Sequence, residues 1–297
     1  MRPNPALRKL GFADDDRVAI IHADDIGMCQ ATLTAFAELL DFGLVSCGAA
    51  MTPCPWFPSV AAYAADHPNA DIGVHLTLNC EYSTYRWGPL STRDPASGLL
   101  DADGCFFRHP ADTQRHADPA AVRAELAAQV ARALAAGIDV SHVDTHMGTV
   151  AHRKFAAGYV EVALTHRLPV MIMRYDEAGW RARGLDAETA AVSAAMVEQL
   201  EAFGVPLVDD IIGMPLDAPD ERVARAKVLF DALAPGITHF VLHPAADTPE
   251  LRAIATGDWP SRVGDTRTFM SEELRDHVWQ SGVQIIGYRA LRDLMRG

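Results

Sequence analysis

Basic residues are scarce in this chain: 26 lysines and arginines stand against 39 aspartates and glutamates, a formal charge of -13 over 297 residues. Nucleic acids and anionic membranes are held largely by basic surface, so neither is expected as a partner. Cysteine is scarce as well. Cys29, Cys47, Cys54, Cys80 and Cys105 are odd in number and form no CxxC pair, which points to reduced core or loop thiols and away from disulfides or a cysteine metal site. No apolar run approaches the ~20 residues of a membrane span, and the opening MRPNPALRKLGFADDDR lacks the hydrophobic region of a signal peptide. A cytoplasmic protein is expected. Repeats, linkers and low-complexity tracts are missing too, so nothing forces a second domain, and about 250 residues is an ordinary length for a one-domain (β/α) barrel.

What is present begins with 18–27, VAIIHADDIG, an apolar run that ends in two adjacent carboxylates and a glycine. It reads as a buried strand stopping at Asp24 and Asp25. The helix after it has Leu33, Phe36, Ala37 and Leu40 at i, i+3, i+4 and i+7, with Gly43 as its stop. A strand-like run at 44–51, a helix over about 56–66 and an alternating strand at 70–78 follow. This βαβαβ order is that of a parallel sheet with helices on its outer face. Residues 79–117 break the pattern with mixed Gly, Pro, Asp, Arg and aromatics, and read as an active-site insertion. Asp118 and Pro119 then open an alanine-rich helix ended by Gly137. Beyond it, strands are expected at about 139–144, 169–175, 205–211, 238–245 and 282–288. Helices are expected over about 153–166 and 187–203, from about Pro219 to Leu233, and over 271–280, with a polar segment at 248–267.

Four of these strands deliver polar residues at or near their carboxyl ends: Asp24 and Asp25, His75, Asp144 and His146, and His243. In a parallel sheet such residues converge on one rim, which is where α/β folds place their chemistry. Two adjacent aspartates at a buried edge repel and lose hydration, and a bound cation or a shared proton makes them tolerable. The plainer alternative is a helix cap beside a solvated turn residue. One carboxylate with two imidazoles holds a divalent metal while leaving positions open for water and substrate. His67, His109, His116 and His166 stand in helical or loop contexts and read as solvated surface residues.

These stretches resemble the YdjC-like carbohydrate deacetylases. HADDIGM resembles their ADDFG-type opening, GVHLTL their G-x-H-L element, HVDTHMG their H-x-D-x-H element and LHPA their later His-Pro element. The order is the family's, through RTFMSEEL to GVQIIGYRAL, and the resemblance covers almost the whole chain. It implies an α/β fold, a distorted or incomplete (β/α) barrel of parallel strands. It also implies a divalent metal ion and hydrolysis of an N-acetyl group from an amino sugar or acetylated oligosaccharide. Carried over residue by residue, Asp25, His75 and His146 are the metal ligands and Asp24 the general base. Zinc and magnesium are the foremost candidates for the metal.

The remaining expectations come from the residues. His243 is a natural general acid for the leaving amine, because an imidazole is readily charged near neutral pH, with a structural His-Pro turn as the alternative. Asp144 is expected to orient His142 or His146. His22 stands where asparagine usually precedes the aspartate pair; it reads as a core histidine, with partnership to Asp24 as the alternative. Met147 and Gly148 stand where relatives often carry further histidines. In the insertion, Tyr82, Tyr85, Arg86 and Trp87 cluster, and Tyr85, Arg86 and Trp87 are the expected substrate contacts, since aromatics beside a polar site stack on sugar faces or anchor their loop. The expected partner is a small carbohydrate, and a homo-oligomer is left open. A metal-dependent phosphoesterase is disfavoured because no Arg/Lys cluster or glycine-rich anion loop accompanies the ligands. A sugar-binding protein with a vestigial site is disfavoured by the intact aspartate pair.

Overall fold

The site is carried by parallel strands whose apolar runs are buried on both faces. In the computed structural model, which describes residues 2–218 and 220–297, the strands are β1 (Arg17–Ile26), β2 (Cys47–Ala50), β3 (Ile72–Leu76), β4 (Val143–Thr145), β5 (Asp210–Gly213), β6 (Gly236–Leu242) and β7 (Gln284–Ile285). Their order is β4-β3-β2-β1-β6-β5, all pairings parallel, with β7 beside Val18 and Ala19 at the start of β1. Helices connect them as the sequence signals ask. The helix Gln30–Phe42 ends at Gly43, whose φ of 86° suits glycine. The helix Pro119–Ala135 starts at Asp118, whose side chain accepts from the amides of Ala120 and Ala121.

The fold is α/β, an incomplete barrel. From β4 round to β5 the sheet is continuous, but the remaining sector is held by single bridges, Val143 to Val170 and Met173 to Val208. The strand expected at 169–175 is thus reduced to isolated pairings, and Pro169, which has no amide proton to donate, opens it. The polar segment at 248–267 is instead largely helical, Pro249–Ile254 and Trp259–Phe269. The second helix buries Arg262, Asp265, Thr266 and Thr268, so its inward face carries polar residues and shows no apolar period. The helix expected from Pro219 begins at Arg222; Pro219 itself lies outside the described residues.

Strand parity sorts the barrel into layers. Ala19, Ile21 and Ala23 of β1 join the large core under the helices. Val18 and Ile20 pack with Cys47, Ile237, Tyr288 and Leu291 in a smaller apolar plug at the barrel's floor. The residues of the same parity further along are His22 and Asp24 on β1, and His239, Val241 and then His243 along β6 and its end. Above its apolar floor, the barrel interior is therefore largely polar.

Candidate active site

β1 does not stop at Asp24. It runs on to Ile26, and between Ala23 and Ile26 the register against β2 slips by one residue. Asp25 takes φ 62°, a left-handed conformation that aspartate tolerates better than most residues. This bulge, one residue before the Ile26–Gly27 turn, breaks the alternation and swings both carboxylates to the same rim.

Around Asp25 the strand ends converge. Its Oδ2 accepts from the buried guanidinium of Arg262 at 2.8 Å. Its Oδ1 lies 3.0 Å from His146 Nδ1 and 3.4 Å from His75 Nε2, buried and without a well-formed hydrogen bond among the described residues. The far nitrogens of both rings are engaged: His75 Nδ1 lies 2.9 Å from both oxygens of Asp144, and His146 Nε2 3.0 Å from Glu81. In their neutral forms both imidazoles then turn bare lone pairs toward the orphan oxygen. Three lone pairs facing one point need protons or a cation between them. Asp25, His75 and His146 accordingly form a compact, buried donor group that fits a divalent ion.

Asp24 sits one layer lower. Its Oδ1 is 2.7 Å from His22 Nδ1, and its Oδ2 is 3.7 Å from both His75 Nε2 and His243 Nε2. Burial pushes the Asp24 carboxyl up, but the rings of His75, His22 and His243 outweigh it and hold the group well below the usual carboxylate range. Asp25 is likewise opposed by burial and held low by Arg262 and His146. The imidazoles respond in the opposite sense. Burial would lower His75, yet Asp144 and Asp24 raise it well above an ordinary histidine. For His146, Glu81 and Asp25 overcome burial and raise it to about 9. Below these, burial and neighbouring rings keep His142 and His239 neutral.

Several expectations change. Asp144 orients His75, not His142 or His146, because His75 and Asp144 are direct partners across β3 and β4 and so share a face. His22 is buried and is also bonded to Asp24. Tyr85, Arg86 and Trp87 have their polar atoms committed within the protein. Tyr85 donates to the Met28 carbonyl, Trp87 to the Asn79 carbonyl, and Arg86 binds Asp101 and the Phe106 carbonyl. Trp87 is only 4% exposed, its ring 6.5 Å from that of His146. Met147, by contrast, is exposed beside His146 with φ 53°.

Two residues of the site escaped sequence reading. Glu81 opens the insertion three residues past Leu78, where only its adjacency to the strand could have singled it out. Arg262 lies in the segment read as merely polar. Its i,i+4 spacing from Asp258, which it binds through Nε at 2.7 Å, was the available sign of a helix.

Comparisons with known proteins show the family and the fold. The profile of the family described as YdjC-like protein matches residues 18–280. A carbohydrate deacetylase of Thermus thermophilus is 30% identical over 275 residues, covering 91% of this chain and 92% of that protein. One from Thermoanaerobacter pseudethanolicus is 24% identical, covering 92% and 98%. Among solved structures, a candidate cellobiose-phosphate cleavage protein from Enterococcus faecalis V583 superposes with a TM-score of 0.77. It is 21% identical, covers 93% of this chain and 99% of its own, and supports the fold.

Proposed function

This chain belongs to the YdjC-like family, and from that membership we infer that it is a carbohydrate deacetylase, a hydrolase of amide bonds, acting on the N-acetyl group of an amino sugar or acetylated oligosaccharide. The observation that carries the reading is the orphan Oδ1 of Asp25 between two ring nitrogens, with a second carboxylate, Asp24, beside the same His75. Asp25, His75 and His146 would hold a divalent cation, zinc or magnesium foremost. When bound, such a cation supplies Lewis acidity toward the acetyl carbonyl and toward the attacking water.

The chain's own residues do the rest. Asp24 takes the proton of the attacking water on Oδ2, the oxygen that His22 leaves free. His243 gives a proton to the departing amine as the C–N bond breaks, so acetate and a free amino sugar are the products. Asp144 and Glu81 hold the two ligand rings in place from behind, and Arg262 occupies Oδ2 of Asp25 so that only Oδ1 is offered to a cation. Tyr85, Arg86 and Trp87 serve the sugar indirectly, by holding the insertion against the rim. The deciding experiment is a panel of N-acetylated and phosphorylated sugars incubated with protein of measured metal content. Acetate release supports the reading; phosphate release, or sugar binding without turnover, rejects it.

A further inference from the structure

Beneath the ligand group lies more polar machinery than metal binding uses. His22 is fully buried with both ring nitrogens engaged, Nδ1 on Asp24 and Nε2 at 2.8 Å from His142 Nε2. His142 in turn has Nδ1 2.9 Å from Ser141 Oγ and stacks on the Tyr288 ring at 3.8 Å. The backbone makes room for this arrangement: a Cβ on Gly73 would stand 2.4 Å from the His142 ring. Polar rings in a barrel interior cost free energy unless every nitrogen is partnered, whereas apolar side chains could fill the space without that constraint.

For a neutral His22, donor and acceptor roles follow by elimination. A neutral imidazole has one N–H. An ionised Asp24 only accepts, so His22 donates from Nδ1 and must accept at Nε2. His142 therefore donates from Nε2 and accepts from the Ser141 hydroxyl at Nδ1. The chain of donation runs Ser141, His142, His22, Asp24.

We propose that His22 is a positioning residue for the proton-accepting carboxylate: it ties down Oδ1 of Asp24, leaves Oδ2 as the oxygen that faces the reacting atoms, and passes the tautomer that Asp24 dictates on to His142. The proposal rests on Asp24 being the base. Two measurements test it. In protein labelled with 15N-histidine and loaded with zinc, His22 is expected to carry its proton on Nδ1 with Nε2 bare, and Asp24→Asn, whose amide can donate as well as accept, is expected to relax that preference, whereas His142→Phe is not. In acetate release from N-acetylglucosamine and its short oligomers, His22→Leu is expected to lower kcat about 10- to 100-fold, the worth of a hydrogen bond to a charged group, with KM and zinc stoichiometry little changed. His22→Asn, whose amide N–H occupies the place of Nδ1, is expected to restore most of that loss, and His22→Gln is not.

An Nε2-protonated His22 overturns the proposal. So does a folded, zinc-loaded His22→Asn no better than His22→Leu, or a fully active His22→Leu in a protein that Asp24→Asn inactivates. If Asp24→Asn itself turns over normally, the base assignment falls, and this proposal with it. Should His22→Leu fail to fold, the tautomer measurement on the native protein decides.

Discussion

At the scale of single residues, Asp24 and Asp25 are chain neighbours that meet different partners, because the backbone turns at Asp25. Asp24→Asn is expected to retain metal and to lose turnover by roughly 100-fold or more, the usual worth of a positioned base. Asp25→Asn is expected to lose metal first, with activity partly restored by excess metal; metal analysis alongside kcat separates the two. Arg262 is tied to Asp25 and Asp258 in a buried group. Arg262→Met leaves Asp25 buried without its counter-charge, so metal-stripped protein should lose about 3 kcal/mol in urea unfolding, and zinc should return part of that loss. His146, raised to about 9, carries a further prediction. Its protonated form, held by Glu81 and Asp25, stabilises the stripped protein fully below its ordinary pKa of about 6.5, and that contribution disappears as pH climbs through 9. The stripped protein's Tm should therefore fall between pH 6.5 and 9, while metal uptake in that window releases protons, measurable by calorimetry in buffers of different ionisation enthalpy.

At the scale of elements, the insertion over 79–117 behaves as a packed flap. Glu125 of the helix Pro119–Ala135 accepts from the amides of Leu90 and Ser91, Asn79 bonds Thr113 and Thr149, and Trp87 fills the space behind His146. Trp87→Ala opens a large cavity there, and a loss of about 3 kcal/mol or more is expected in denaturant unfolding. A rise in KM with unchanged stability would instead make Trp87 a direct stacking platform for the sugar. The β6 end is built in the same manner. Asp265 accepts from the His243 amide and pairs with Arg222, so the loop that aims His243 at Asp24 is held from the helix Trp259–Phe269.

At the scale of the whole molecule, the barrel is uneven. β1 lies at its centre, paired with β2, β6 and β7, while the sector between β4 and β5 has only single bridges. Amides of 170–174 and 208–209 are expected to exchange with deuterium faster than those of β1 and β6, since local opening there breaks few pairings. Equal protection across both would indicate a closed barrel. The asymmetry leaves β1, β3, β4 and β6, which carry the proposed site residues, mostly within the continuous arc, where their ends are held by neighbours on both sides or by packed helices.

The succession of strands and helices was legible along the chain, because apolar period, caps and glycine stops are local properties. So were Asp24, Asp25, His75, His146 and His243, each placed by the end of an apolar run. What sequence determined was thus the set of groups delivered to one rim. Which of them touch was decided only by folding. Asp144 serves His75 because register across β3 and β4, not spacing along the chain, sets their shared face. Arg262 reaches Asp25 across 237 positions, and a buried arginine on a helix with a polar inward face gives no apolar period to read. His22 acquires its partner in His142, the residue just before β4, from inward parity on β1 and from the space above Gly73, a contact that exists only once the sheet has curled.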